Sequence, residues 1–235
     1  MSGIEFAENQ PANWSFTPDS MAKADVIIAK YPAGRQQSAV IALLDLAQRQ
    51  NNNWLPKKAI EAVAEKLEMA PIRVLEVATF YTMFNLKPVG KYFLQACTTT
   101  PCWLRGSDQM MKCIKDKLGL EGRGDTEDGM FTLLEVECLG ACCNAPILQV
   151  NDDFYEDMDY EKTAELIEAL KADSPPPVGS MAGRNMSEPD AGATSLTSLK
   201  ATEAAYVPRR PKTAKTEAAP DAKTEAAPDG GESRC

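Results

Sequence analysis

The sequence predicts an α+β chain: a helical bundle, then a small sheet packed by helices, then an extended tail. Three observations carry this. Apolar residues recur at helical spacing as far as Phe84, and the period shortens to that of strands after Lys91. After Asp173 the apolar pattern stops: half of the 16 prolines lie in residues 173–235, where Tyr206 is the only aromatic residue.

Residues 1–15 read as an N-terminal arm and 16–88 as the bundle. A first helix over 20–30 follows the start signal Pro18-Asp19-Ser20 and ends before Tyr31-Pro32-Ala33-Gly34. A second, over about 35–50, carries Val40, Ile41, Leu44 and Ala47 on one face, and Asn51-Asn52-Asn53 breaks it. Pro56 fits the first turn of a third helix and Pro71 opens a fourth. In the fourth, Val77, Phe80, Tyr81 and Phe84 form a stripe, with Met83 beside it. It is expected to pack helices together in preference to lining a cofactor pocket.

Residues 89–172 form the second domain. Residues 91–96 read as a strand, 102–118 as a helix ended by Gly119, and 131–136 as the next strand. A hairpin turns at Asn151-Asp152, and an amphipathic helix over 160–171 closes the unit. This β-α-β-β-β-α order, with room for an extra strand in the loop 121–129, fits a thioredoxin-like unit. The final stretch repeats AKTEAAPD at 214–221 and 222–229, and it cannot bury enough apolar surface to offset its ordering entropy. Residues 200–235 therefore read as a disordered tail, with a docking tail as the functional alternative.

Bulk properties exclude several functions. A net charge of −9 argues against nucleic acid as a partner. No apolar run is long enough to span a bilayer, so any membrane association is expected through other subunits. The N-terminus, with Glu5 and Glu8, resembles neither a secretory signal nor a transit peptide, and a bacterial cytoplasm is the expected compartment. Seven cysteines in a reducing compartment point to metal or redox chemistry before disulfides. The chain has no histidine, which removes Cys/His zinc sites and imidazole catalysis.

Four cysteines are laid out as Cys97-x4-Cys102, 35 further residues, and Cys138-x3-Cys142. Each pair follows the end of an expected strand. If those strands are neighbours, both loops leave one sheet edge and four thiolates converge, as a [2Fe–2S] cluster requires. The cluster and its thiolates carry negative charge, so the protein must supply positive potential. Thr100 as N-cap and Pro101 as first helical residue would place Cys102 in a helix's first turn. Gly140 is expected to let the 138–142 loop turn tightly with its amides facing sulfur. Arg105 offers charge compensation or is simply solvated.

A zinc ion held by four cysteines is the main alternative, although zinc loops usually close as C-x2-C. A dithiol oxidoreductase would want C-x-x-C, a spacing that does not occur. Cys143 adjoins Cys142, and spacing does not choose between them. Cys113 reads as a buried apolar thiol and Cys235 as incidental.

The segments CTTTPCWLRGSD (97–108) and EVECLGACCNAP (135–146) closely resemble the small iron–sulfur subunits of respiratory NADH:ubiquinone oxidoreductase, complex I. The likeness extends through 16–32, 44–56, 76–92 and 152–158. It continues into PPPVGSMAGRNMSEPDAG and TSLTS (175–198). It implies a helical domain followed by a thioredoxin-like ferredoxin domain, with one [2Fe–2S] cluster of the N1a type on Cys97, Cys102, Cys138 and Cys142, leaving Cys143 spare. It further implies electron exchange with FMN on a flavoprotein subunit that also binds NADH, contact with the large iron–sulfur subunit, and no catalysis by the chain alone. Residues 173–199 become an extended strap on a partner subunit. Homologous subunits of NAD-linked formate dehydrogenases and hydrogenases remain the nearest alternative assembly. Two departures stand out: Cys143 replaces an apolar residue, and the repeat-bearing tail has no counterpart.

Overall fold

A computed structural model describes residues 6–189, 191–192 and 194–195. The expected tail, 200–235, lies outside the described residues. The described fold is α+β, as the sequence indicates.

Four helices form the first half: α1 (Pro18–Ile28), α2 (Val40–Gln50), α3 (Lys57–Lys66) and α4 (Pro71–Phe80). The Thr17 hydroxyl accepts a hydrogen bond from the Ser20 amide at 3.2 Å, and Pro18 occupies the first turn, where its missing N–H costs nothing. The expected second helix starts about five residues late, because Gln36–Ala39 forms a tighter 3-10 turn. Pro56 caps α3 from outside and does not join its first turn. Leu43, Leu44, Leu55, Ile60, Val63 and Val74 fill the core of the bundle. The arm closes over it: Phe6 and Trp14 pack against this core, and the Ala7 amide donates to the Leu86 carbonyl at 3.1 Å.

The second half is a six-stranded mixed sheet in the order β2-β3-β1-β4-β5-β6. Its strands are β1 (Tyr92–Cys97), β2 (Arg123–Asp125), β3 (Phe131–Val136), β4 (Leu148–Val150), β5 (Asp153–Glu156) and β6 (Gly179–Ser180). The neighbours β1 and β3 are parallel, with Tyr92 opposite Phe131 and Cys97 opposite Val136. Strands β4 and β5 make the expected hairpin, and Asn151 takes the left-handed conformation (φ 54°) at its turn. The expected helix over 102–118 is two helices, α5 (Thr100–Leu104) and α6 (Ser107–Leu118). They break at Gly106, whose φ of +95° no helix accommodates. The loop 121–129 does hide a strand, β2, and the segment expected as a strap contributes β6 along β5.

Alternation along β1 sorts the sheet's faces. Tyr92, Leu94 and Ala96 join Met110 and Ile114 of α6 and Leu166, Ile167 and Leu170 of α7 (Tyr160–Lys171) in one core. On the opposite face, Phe93 and Gln95 line a cleft of about 300 Å³ with Gln48 and Arg49 of α2. There Arg49 pairs with Asp45 at 2.9 Å and reaches across to Asp152 at 2.7 Å. Cys97 has the parity of Phe93 and Gln95, so β1 delivers it away from α6 and α7.

Candidate metal centre

The parallel pairing of β1 and β3 sets the site. Both strands run the same way, so the loops after Cys97 and after Val136 emerge side by side at one end. Cys97 and Cys102 are 1% exposed, held in a small apolar cluster with Ala145 and Ile147, against which Leu139, Ala141 and Phe154 pack. Cys138 and Cys142 are exposed, and their sulfurs lie 3.4 Å apart. Cys143 is also exposed, in the 3-10 turn Cys142–Asn144. Cys113 is buried within the core of the sheet, as expected.

Local donors surround the sulfurs. The Cys97 thiol is 3.3 Å from the Thr99 hydroxyl and hydrogen-bonds to Cys102. Gly140, at φ +82°, turns the loop back so that its amide donates to Cys138 Sγ at 3.4 Å. The expectation for Gly140 therefore stands. That for Thr100 shifts by one residue: Thr99 is the N-cap, without a side-chain cap bond, and Cys102 stays in the first turn. With only five residues, α5 contributes a far weaker dipole than a long helix would. Arg105 is exposed at its end.

Burial raises the Cys97 pKa, but hydrogen bonds from Thr99, from Cys102 and from the backbone of Thr99 and Leu139 outweigh it, leaving a net lowering. Cys102 is pushed up to about 12, by burial first and then by its bond to Cys97, against a backbone bond from Ile147. Cys142 is raised by its bond to Cys138. The raised values of Cys102 and Cys142 describe thiols crowded together with little compensating positive charge. A bound metal supplies that charge, because it takes thiolates and expels their protons.

Among the described residues, no three His, Cys, Asp or Glu side chains gather to hold one metal ion. The sulfurs come instead as two pairs on adjacent loops. Four thiolates set in two such pairs are the donors that a [2Fe–2S] cluster would take. The donor set thus fits a [2Fe–2S] cluster. Sequence reasoning missed Thr99 and the backbone donors of Leu139 and Ile147, which carry no residue-type signal.

The aromatic stripe departs from expectation. Phe84 is buried in the bundle, but Phe80 is 77% exposed, and Tyr81 and Met83 are exposed beside it. Helix α4 ends at Phe80, and Tyr81 is extended, so the spacing that would have packed them inward stops there.

Residues 24–171 match the family model of thioredoxin-like [2Fe–2S] ferredoxins, and the chain belongs to that family. The match takes in bundle and sheet alike. The E-type subunit of the NADH-quinone oxidoreductase of Rickettsia bellii is 58% identical over 161 residues, 68% of this chain and 96% of that protein. The mitochondrial NADH dehydrogenase (ubiquinone) flavoprotein 2 of Dictyostelium discoideum is 46% identical over 188 residues, 80% of this chain and 76% of that protein. The solved structure of an NAD+-reducing [NiFe]-hydrogenase in its H2-reduced state shares the fold. Its TM-score is 0.51 at 19% identity, over 58% of this chain and 23% of that one.

Proposed function

We propose that this chain is the small electron-transfer subunit of a NADH:quinone oxidoreductase, holding one [2Fe–2S] cluster on Cys97, Cys102, Cys138 and Cys142. The observation that carries the reading is the parallel pairing of β1 with β3, which puts both cysteine pairs at one end of the sheet. Such a cluster carries one electron at a time between donor and acceptor. The chain's own residues do the rest. Cys97 and Cys102 anchor one side of the site in an apolar pocket that excludes water, and Cys138 and Cys142 close it from an exposed loop.

The contact at 3.4 Å between Cys138 and Cys142 supports Cys142 as the fourth ligand, with Cys143 spare. Exposed Trp103 and Leu104, on the helix that carries Cys102, offer apolar surface beside the site for the FMN- and NADH-binding flavoprotein subunit. The large iron–sulfur subunit is the second proposed neighbour. Hydride chemistry belongs to the flavoprotein. No helix among the described residues is long and apolar enough to cross a membrane. We place the chain on the cytoplasmic face of a bacterial inner membrane, held there through the rest of the complex.

The test is replacement of Cys138, Cys142 and Cys143 by serine, one at a time, with iron, sulfide and zinc assayed and the reduced chain examined by EPR. The native chain and Cys143→Ser should hold about two irons and two sulfides each. Cys138→Ser and Cys142→Ser should lose most of both. Zinc without sulfide in the native chain overturns the cluster, and loss in Cys143→Ser overturns the ligand choice. Co-purification with a quinone-reducing membrane arm separates this assembly from a formate dehydrogenase or a hydrogenase.

A further inference from the structure

We propose that Arg184, outside the ligand set, is a positioning residue through which the C-terminal extension fixes the loop bearing Cys142. The inference rests on the cluster reading above. The extension reaches the site as β6, pairing Gly179 with Tyr155 and Ser180 with Glu156. It then turns so that Arg184 grips Asp157 with both ends of its fork, Nε to Oδ2 at 2.9 Å and Nη2 to Oδ1 at 2.5 Å. Both side chains are nearly buried, at 10% and 8% exposure. Ser180 Oγ donates to the same carboxylate at 2.6 Å.

The guanidinium does not stop at the ion pair. Nη2 also donates to the Cys143 carbonyl at 3.2 Å, and Nη1 donates to the Glu188 carbonyl at 2.8 Å. The next residue of the loop is clasped as well. The Asn144 carbonyl accepts from the Asp157 amide at 2.8 Å. Asn144 Nδ2 donates to Glu156 at 2.5 Å and to the Met186 carbonyl, again in the extension, at 2.7 Å. Asn144 is 2% exposed and its Oδ1 has no hydrogen-bond partner among the described residues, so the donations of Nδ2 are what hold its side-chain amide.

The turn Cys142–Asn144 is therefore fastened from two sides while its first residue stays exposed to bind metal. A ligand must be presented to within a fraction of an ångström, and the groups that hold its backbone decide whether it is. A planar guanidinium can bond a carboxylate and two carbonyls at once, whereas an ammonium on a flexible stem cannot reproduce that fork.

The experiment uses the full holo-chain with Arg184→Gln and Arg184→Lys, and Leu170→Ala as a control that weakens the sheet's core away from the site. Three quantities are read: the rate of iron loss to an added chelator, the EPR line shape of the reduced cluster, and the urea midpoint. Arg184→Gln should lose iron at least about tenfold faster than the native chain and alter the EPR signal. Arg184→Lys should lie between the two. Leu170→Ala should lower the urea midpoint while keeping the native signal and rate. Native iron loss and EPR in Arg184→Gln overturn the proposal, as does full reproduction of both changes by Leu170→Ala. If Arg184→Gln yields no folded chain, Arg184→Lys decides, and native behaviour there overturns it. A native chain without sulfide fails the cluster reading and takes this proposal with it; a native chain with the cluster and unaffected Arg184 variants fails this proposal alone.

Discussion

At Gly140 the chain adopts φ +82°, and a Cβ built there meets nothing within 4 Å among the described residues. Backbone strain is then the whole effect of adding a methyl group. Gly140→Ala should cost about 1–2 kcal/mol in urea unfolding. It should also loosen the loop whose amide faces Cys138 Sγ, so iron content should fall with stability. An unchanged urea midpoint would mean that the turn is not held in the left-handed region. The glycine was legible in the sequence because the loop between two cysteines needs a tight turn. The sulfur partners were less so. Thr99, next to the expected cap Thr100, becomes a neighbour of Cys97 only through the path of the chain after β1. The exposure of Phe80 and Tyr81 was not legible either, since a stripe at helical spacing does not say where the helix ends.

Among the elements, α7 has the bounds expected from the amphipathic spacing of Leu166, Ile167 and Leu170, and the structure adds Asp159 as its N-cap. Its cap also gives a pH dependence. Burial would raise the Asp159 pKa, but the Lys162 side chain and backbone amides, that of Lys162 at 2.8 Å, outweigh it, and the carboxyl is held below its ordinary 3.8. A lowered carboxylate pKa stabilises the fold above the unfolded value and loses that contribution as pH falls through the folded one. Asp159→Ala should therefore cost about 1 kcal/mol near pH 7. The gap to the native chain should shrink by pH 3, in urea unfolding followed at both pH values; a gap that widens on acidification would reverse the sign. Where local signals conflict, the reading slipped. The span 102–118 carries a continuous helical pattern, and only the conformation of Gly106 divides it. Strand β6 is two residues long and owes its existence to the edge of β5, so nothing in its own composition announces it.

Over the described molecule, apolar side chains fall into two large clusters that share no residue, one in the bundle and one between the sheet and helices α6 and α7. Most of the residues that line the cleft between them are polar, with Met83, Phe93 and Leu139 the exceptions. Gln48 bonds the Met83 carbonyl at 3.1 Å and the Asn85 amide at 2.8 Å, and Arg49 spans to Asp152. The Arg49 and Asp152 side chains are about half exposed, and such a pair contributes at most about 1 kcal/mol. Burial of apolar surface is the main cooperative force in folding, and here it acts within each cluster more than between them. The isolated full chain should then melt in two calorimetric transitions, in place of the single one of a small two-state domain. Leu43→Ala, in the bundle, should lower one transition, and Leu166→Ala, in the other core, should lower the second, each by about 2–5 kcal/mol of local stability. Removing the iron–sulfur cluster should shift only the transition that Leu166→Ala shifts, since all four proposed ligands belong to the half of the chain that forms the sheet. A single transition that both substitutions move equally would show that the cleft couples the cores despite its polarity.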